Sequence, residues 1–185
     1  MNIQLILLKP ILDWKNAFSQ NEIIPSISNE LLWSTSNWQM SYKIEFDLQV
    51  TNRKVGKGGA QIFYFTSNGK PCCDIGSSIP SLKLNKRGKL VFCTYPNENE
   101  CTWLPGTKTN GQKQRVEITQ IGHFYTIKID GVIQAGSAPG IEMMNTIPEN
   151  FPIVEFYLKD NFAPYAELSN LKIMMSEDKK KGNKV

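Results

Sequence analysis

Two carboxylates stand two places apart in Lys43-Ile-Glu-Phe-Asp-Leu-Gln49. Residues i and i+2 of a β-strand point to one face, so Glu45 and Asp47 would project side by side. A retaining glycoside hydrolase needs such a pair about 5 Å apart, one carboxylate as nucleophile and one as acid. Gln49, the next residue on that face, is an amide and cannot serve as a general acid. Glu45 and Asp47 are therefore weak catalytic candidates. The plainer reading is a solvated strand face on which Lys43, Glu45 and Asp47 offset one another.

Sugar recognition needs an exposed aromatic ring for the apolar sugar face, with amides or carboxylates for the hydroxyls. Two stretches carry these types close together. One is Tyr95-Pro-Asn-Glu-Asn-Glu100 with Trp103, contributing Tyr95, Asn97, Asn99 and Trp103. The other is Asp160-Asn161-Phe162 with Tyr165, contributing Asp160, Asn161 and Tyr165. The competing role for Trp103 is a core residue beneath a hairpin that the Asn and Glu residues merely solvate.

The cysteines carry structural chemistry. Cys72 and Cys73 are adjacent, and Cys93 and Cys101 flank a polar loop. No Cys-x-x-Cys is present and His123 is the single histidine, which excludes the spacing of a zinc site. Disulfides would place the chain in an oxidising compartment; four reduced thiols would place it inside a cell. A Cys93–Cys101 bridge would close a short loop if the two lie on paired strands. Cys72 and Cys73 either bond each other or take the two cysteines of the neighbouring hairpin.

These residues need strands to position them. Trp38, Met40, Tyr42, Ile44, Phe46, Leu48 and Val50 alternate with polar residues, which predicts one long strand from Trp38 to Val50, apolar on one side. Its Met40, Ile44, Phe46 and Leu48 should be buried against an opposite sheet. Thr51–Gly59, with three glycines and three cationic residues, reads as a hairpin connection. Further strands are expected at Ile3–Leu8, Gln61–Thr66, Ile79–Leu84, Lys89–Thr94, from Cys101 to Leu104, Gln114–Gln120, His123–Ile129, Val132–Ala135, Val154–Leu158 and Leu168–Met175. Leu31-Leu32-Trp33 is a brief strand or an edge, and Ile11–Phe18 a short helical turn or irregular crossing. Asp130-Gly131 is a two-residue hairpin turn, because both places tolerate positive φ. About a dozen short strands without a confident helix make an all-β sandwich or barrel.

The order of these pieces resembles the concanavalin A-like lectin and glucanase superfamily, in its laminin-G-like branch of extracellular invertebrate type. The resemblance rests on four of them: Trp38–Val50 with Phe46-Asp47-Leu48; Gln61–Thr66 followed by Ile79-Pro80-Ser81-Leu82; Arg115–Gln120 followed by Tyr125–Gly131; and Asn145 with Pro148, Phe151–Tyr157 and Leu168–Ile173. It implies an antiparallel two-sheet jelly roll that binds glycans or proteins, or in some members cleaves glycans. Fold alone does not choose among these. Glycosidases of the superfamily carry Glu-x-Asp-x-Glu on one strand, and Gln49 departs from that pattern. Some of its alginate lyases carry Gln-Ile-His; here Gln120-Ile-Gly-His123 has an intervening glycine that moves His123 out of register. The resemblance also favours tying Cys72 and Cys73 to Cys93 and Cys101, fastening the long loop to the Tyr95 loop. Calcium is possible on the same ground, with Asp74, Asn97, Glu98 and Asp160 as oxygen donors in no specifying order; the metal site is otherwise unknown.

At 185 residues the chain suits one domain, expected over 1–175, followed by a Lys-rich flexible tail at 176–185. The net charge of +4 is mild, and the tail's four lysines against Glu177 and Asp178 carry half of it. A body without a clustered basic surface excludes nucleic acid as partner. No apolar run approaches the ~20 residues of a membrane helix. Met1–Leu8 lacks a basic start and a cleavage site, so it does not read as a leader. The sequence thus predicts a secreted, disulfide-containing binding module for a glycan or an extracellular protein. The alternatives are a structural or adhesive component that self-assembles as a homo-oligomer, and a divergent glycan-cleaving enzyme.

Overall fold

The computed structural model of the protein describes residues 12–22, 24–25, 30–39, 41–51, 59–67, 80–93, 101–108, 110–122, 124–136, 153–158 and 166–176. These form thirteen strands and no helix. In chain order they are β1 (Lys15–Gln20), β2 (Ile24–Pro25), β3 (Glu30–Thr35), β4 (Ser41–Val50), β5 (Ala60–Thr66), β6 (Ser81–Leu84), β7 (Leu90–Cys93), β8 (Thr102–Trp103), β9 (Lys113–Ile121), β10 (Phe124–Ile129), β11 (Val132–Gly136), β12 (Val154–Leu158) and β13 (Ala166–Ser176). Every pairing is antiparallel. One sheet of seven runs β1-β13-β4-β9-β10-β11, with β2 also on β13, and one of six runs β3-β12-β5-β6-β7-β8.

The alternation in β4 governs the packing. Tyr42, Ile44, Phe46, Leu48 and Val50 are all 2% exposed or less. Register sets Ile44 between Ile118 and Ile173, so one inward residue meets its like on both flanking strands. Across the sandwich Phe46 meets Phe63 edge-on at 5.5 Å, and within the six-stranded sheet Phe65 stacks on its strand neighbour Phe156 at 4.5 Å. Such aromatic pairs add about 0.5–1.5 kcal/mol each to the burial of their area.

Tyr42 and Gln120 match their buried polar groups within the core, whereas the buried Ser176 hydroxyl has no partner among the described residues. The Tyr42 hydroxyl donates to Gln120 Oε1 at 2.7 Å, and Gln120 Nε2 donates to the Gly122 carbonyl at 2.9 Å. Burial pushes the Tyr42 phenol far above its ordinary range, so it stays a neutral donor. Asp130 and Gly131 take φ of 50° and 79°, which makes the β10–β11 hairpin turn as expected.

Three local expectations are corrected. Lys15–Gln20, assigned in part to a helical turn or crossing, is an edge strand on β13. An edge strand needs little apolar content of its own; Phe18, opposite Ile173, packs partly against the core. The long strand begins at Ser41 rather than Trp38. Trp38 instead packs on Tyr42 and Phe65, with ring centroids 4.9 and 5.1 Å away. Thr51–Gly59 does not close a hairpin, because both flanks of β4 are taken by β13 and β9 and β5 belongs to the other sheet. Met40 and the expected strand Ile3–Leu8 lie outside the described residues.

Candidate functional site

Trp103 sits on β8, the last strand of the six-stranded sheet. Its neighbour Thr102 pairs with the buried Phe92, so Thr102 turns inward and its hydroxyl meets the Tyr125 hydroxyl at 3.1 Å. Trp103 therefore turns to the outer face and is 50% exposed. The Lys89 ammonium stands 3.8 Å from the centroid of its ring. Arg87, Gly88, Lys89, Leu90, Trp103, Leu104, Pro105 and Thr107 line a cleft of about 330 Å³ here.

Two turns build that cleft. Asn85 caps the β6–β7 turn: its Oδ1 accepts from the backbone N–H groups of Arg87 (2.9 Å) and Lys89 (3.1 Å). The cap fixes where Arg87 and Lys89 leave the backbone. The opposite wall, 104–107, is held by two glutamines. Buried Gln114 accepts from Lys108 N–H and donates to the Gly106 carbonyl, and Gln134 accepts from Gly106 N–H at 2.7 Å. A side chain at Gly106 would meet the Gln134 carboxamide, so it would have to displace that amide from the Gly106 N–H. Cys93 and Cys101 are disulfide-bonded with Cα atoms 4.2 Å apart, one place beyond the Phe92–Thr102 pair. The bond ties β8 to β7 and corrects the expectation that these cysteines bridge to Cys72 and Cys73.

Sequence reasoning selected Trp103 but not Arg87, Lys89, Gln114 or Gln134. The usable signal for Lys89 was its alternation with Val91, which the register sets opposite Trp103. Tyr95, Asn97, Asn99, Asp160, Asn161 and Tyr165 lie outside the described residues, as do Cys72, Cys73, His123 and the remaining calcium candidates Asp74 and Glu98. Among the described residues no three His, Cys, Asp or Glu side chains converge to hold a metal ion. No helix there is long and apolar enough to cross a membrane.

Glu45 and Asp47 lie on the outer face of the seven-stranded sheet, where Arg115 bridges them. Its Nη2 is 2.8 Å from Glu45 Oε2 and its Nη1 3.2 Å from Asp47 Oδ1. Lys43 joins Glu45 to Glu117 (2.5 and 2.8 Å), and Lys128 completes the ladder on Glu117 at 3.1 Å. A bulge in β13 adds Asn170, in left-handed conformation at φ 52°, whose Nδ2 donates to Asp47 Oδ2 at 2.7 Å. Burial would raise Glu45, but hydrogen bonds from Lys43 and Arg115 outweigh it and hold its pKa below the ordinary value. Glu45 is thus held ionised, the opposite of what a general acid requires.

No protein-family model matches the chain, and no curated protein matches it in sequence. Solved structures resemble it in fold. A carbohydrate esterase from the Shiga toxin-encoding bacteriophage phi24B superposes with a TM-score of 0.51 and 10% identity, over 89% of this chain and 90% of that one. A marine PL7 alginate lyase from Zobellia galactanivorans gives 0.50 and 11%, over 78% and 66%. Trypanosoma rangeli sialidase gives 0.50 and 14%, over 72% of this chain and 20% of that one, so the chain spans about a fifth of the sialidase. At these identities the likeness is one of fold: a two-sheet antiparallel β-sandwich of jelly-roll type.

Proposed function

We propose that this protein is a non-catalytic extracellular binding module that recognises a glycan through the Trp103 cleft, and that it is a laminin-G-like member of the concanavalin A-like sandwiches. The observation that carries the reading is the half-exposed Trp103 indole with Lys89 against its ring, in a cleft also lined by Arg87. An indole offers its face to sugar C–H groups, and two cations beside it suit a sugar carboxylate or sulfate. Support comes from the fold, shared with proteins described as an alginate lyase, a carbohydrate esterase and a sialidase. The Cys93–Cys101 bond supports an oxidising, extracellular setting. Calorimetric titration with neutral and acidic oligosaccharides tests the reading. Trp103→Ala should weaken binding about tenfold or more; a variant that binds as the wild type does would refute it.

One observation favours self-assembly as a second reading. The edge strand β11 exposes Val132 (62%) and Ile133 (64%), and an uncovered apolar edge invites pairing with another copy. Light scattering across concentration, with Ile133→Lys as comparison, separates this reading from the first.

A further inference from the structure

The sandwich has a second cleft on the side where its two edge strands β1 and β3 come together. It encloses about 290 Å³ and is lined by Lys15, Asn16, Ala17, Trp33, Thr35, Asn37, Gln39 and Met175. Trp33 pairs with the fully buried Phe156, so it turns toward the interior at the rim of the sandwich. Phe18 and Trp38 wedge it from two sides, with ring centroids 6.0 and 6.5 Å away. The indole thus forms a rigid apolar wall, with Ala17 and Met175 beside it.

The polar groups of this cleft are carboxamides and a hydroxyl, with one lysine and no carboxylate. Gln39 Nε2 donates to Asn37 Oδ1 at 2.6 Å, and the Asn37 backbone N–H donates to Thr35 Oγ1 at 3.1 Å. The chain Thr35–Asn37–Gln39 is therefore fixed by its own bonds. It leaves the Asn37 Nδ2 hydrogens and the Gln39 Oε1 lone pairs without a partner among the described residues. Turning both amides over exchanges the two ends and still leaves one donor beside one acceptor. Adjacent sugar hydroxyls, each able to donate and accept, complement that pair. An indole wall supplies the surface that a pyranose C–H face needs.

We infer that the β1–β3 cleft is a second ligand site, which takes a neutral, hydroxyl-rich ring such as a single uncharged pyranose of a glycan. It is separate from the Trp103 cleft. β3 and β8 are the opposite edges of one sheet, five strand spacings apart, or roughly 24 Å at about 4.8 Å each. It differs in chemistry as well: amides stand here where two cations stand beside Trp103. The inference does not depend on the Trp103 reading.

The test is two-dimensional NMR of the full chain titrated with the methyl pyranosides of glucose, galactose, mannose and N-acetylglucosamine, and with glucuronate. Affinity for one ring is expected on the order of millimolar. At least one neutral pyranoside should shift the Asn37 and Gln39 side-chain amides and the Trp33 indole N–H along a single saturation curve. The same curve should appear in Trp103→Ala. Asn37→Ala with Gln39→Ala should weaken it about tenfold, with backbone amides away from the cleft unmoved, which shows an intact fold. The inference is overturned if no neutral pyranoside moves these resonances, if the double variant binds unchanged, or if glucuronate binds more tightly than every neutral ring. A response that vanishes in Trp103→Ala also overturns it and assigns the binding to the other cleft.

Discussion

Arg115 reaches across from β9 to hold Glu45 and Asp47 of β4 together, at 2.8 and 3.2 Å. It also donates to the Asn170 carbonyl at 3.4 Å, so three strands meet on one guanidinium. Arg115→Leu should lower unfolding free energy by about 1 kcal/mol, discounted because the group is partly solvated. Glu45→Gln should cost less than Arg115→Leu, since the amide still accepts a hydrogen bond. Urea denaturation of both variants checks the order. A Glu45→Gln protein less stable than Arg115→Leu would contradict it.

The same ladder sets a pH window. Burial would raise Glu45 and Glu117, but hydrogen bonds from Lys43 to both, and from Arg115 and Lys128 to one each, hold their pKa values down. A depressed carboxylate adds stability that is present above its unfolded value, about 4.3, and is lost as pH falls through the folded one. Lys43 has the opposite sign. Burial would lower it, its bonds to Glu117 and Glu45 raise it, and its contribution fades as pH rises past about 10.4 through the raised value. Thermal midpoints should be level near neutral pH and fall on both sides. Lys43→Met should flatten both limbs.

Joining Cys93 to Cys101 closes a loop of eight residues' separation. By the chain-entropy model the bond contributes about 2–3 kcal/mol. The Cys93→Ser, Cys101→Ser double variant should lose that much in guanidinium unfolding. It should also loosen β8, which pairs with β7 through only two residues, and so raise hydrogen exchange at the Trp103 amide. Unchanged exchange there would mean that Gln114 and Gln134 hold the cleft unaided.

Phe46 is wholly buried and meets Phe63 across the two sheets. Phe46→Ala should cost about 3–5 kcal/mol by emptying the middle of the core. Trp103→Ala, half in solvent, should cost far less in thermal stability while removing the proposed binding. If the two substitutions destabilise equally, Trp103 serves the fold rather than a ligand.

Much of the fold was readable because period-two alternation survives at most places in this chain. Ile44, Phe46 and Leu48 declared their burial, and Asp130-Gly131 its turn, from residue type alone. Trp38 obeyed the same alternation and misled: one aromatic residue satisfies the pattern whether it continues a strand or folds back on its end. Lys15–Gln20 carried too few apolar residues to signal an edge strand, because the partner β13 supplies what an edge needs.

Composition and spacing by themselves determined the all-β class, the amphipathic β4 and the absence of a zinc pattern, since each follows from local geometry or residue type; they left sandwich and barrel open. Tertiary structure alone decided which residues act together. Trp103 meets Lys89 only because β7 and β8 pair in one register. Cys93 reaches Cys101 for the same reason. Glu45 and Asp47 became rungs of an ion ladder because Arg115, some seventy residues later in the chain, lies on the neighbouring strand. Pairing brings distant residues within a few ångströms, and no local pattern encodes which strand will be the neighbour.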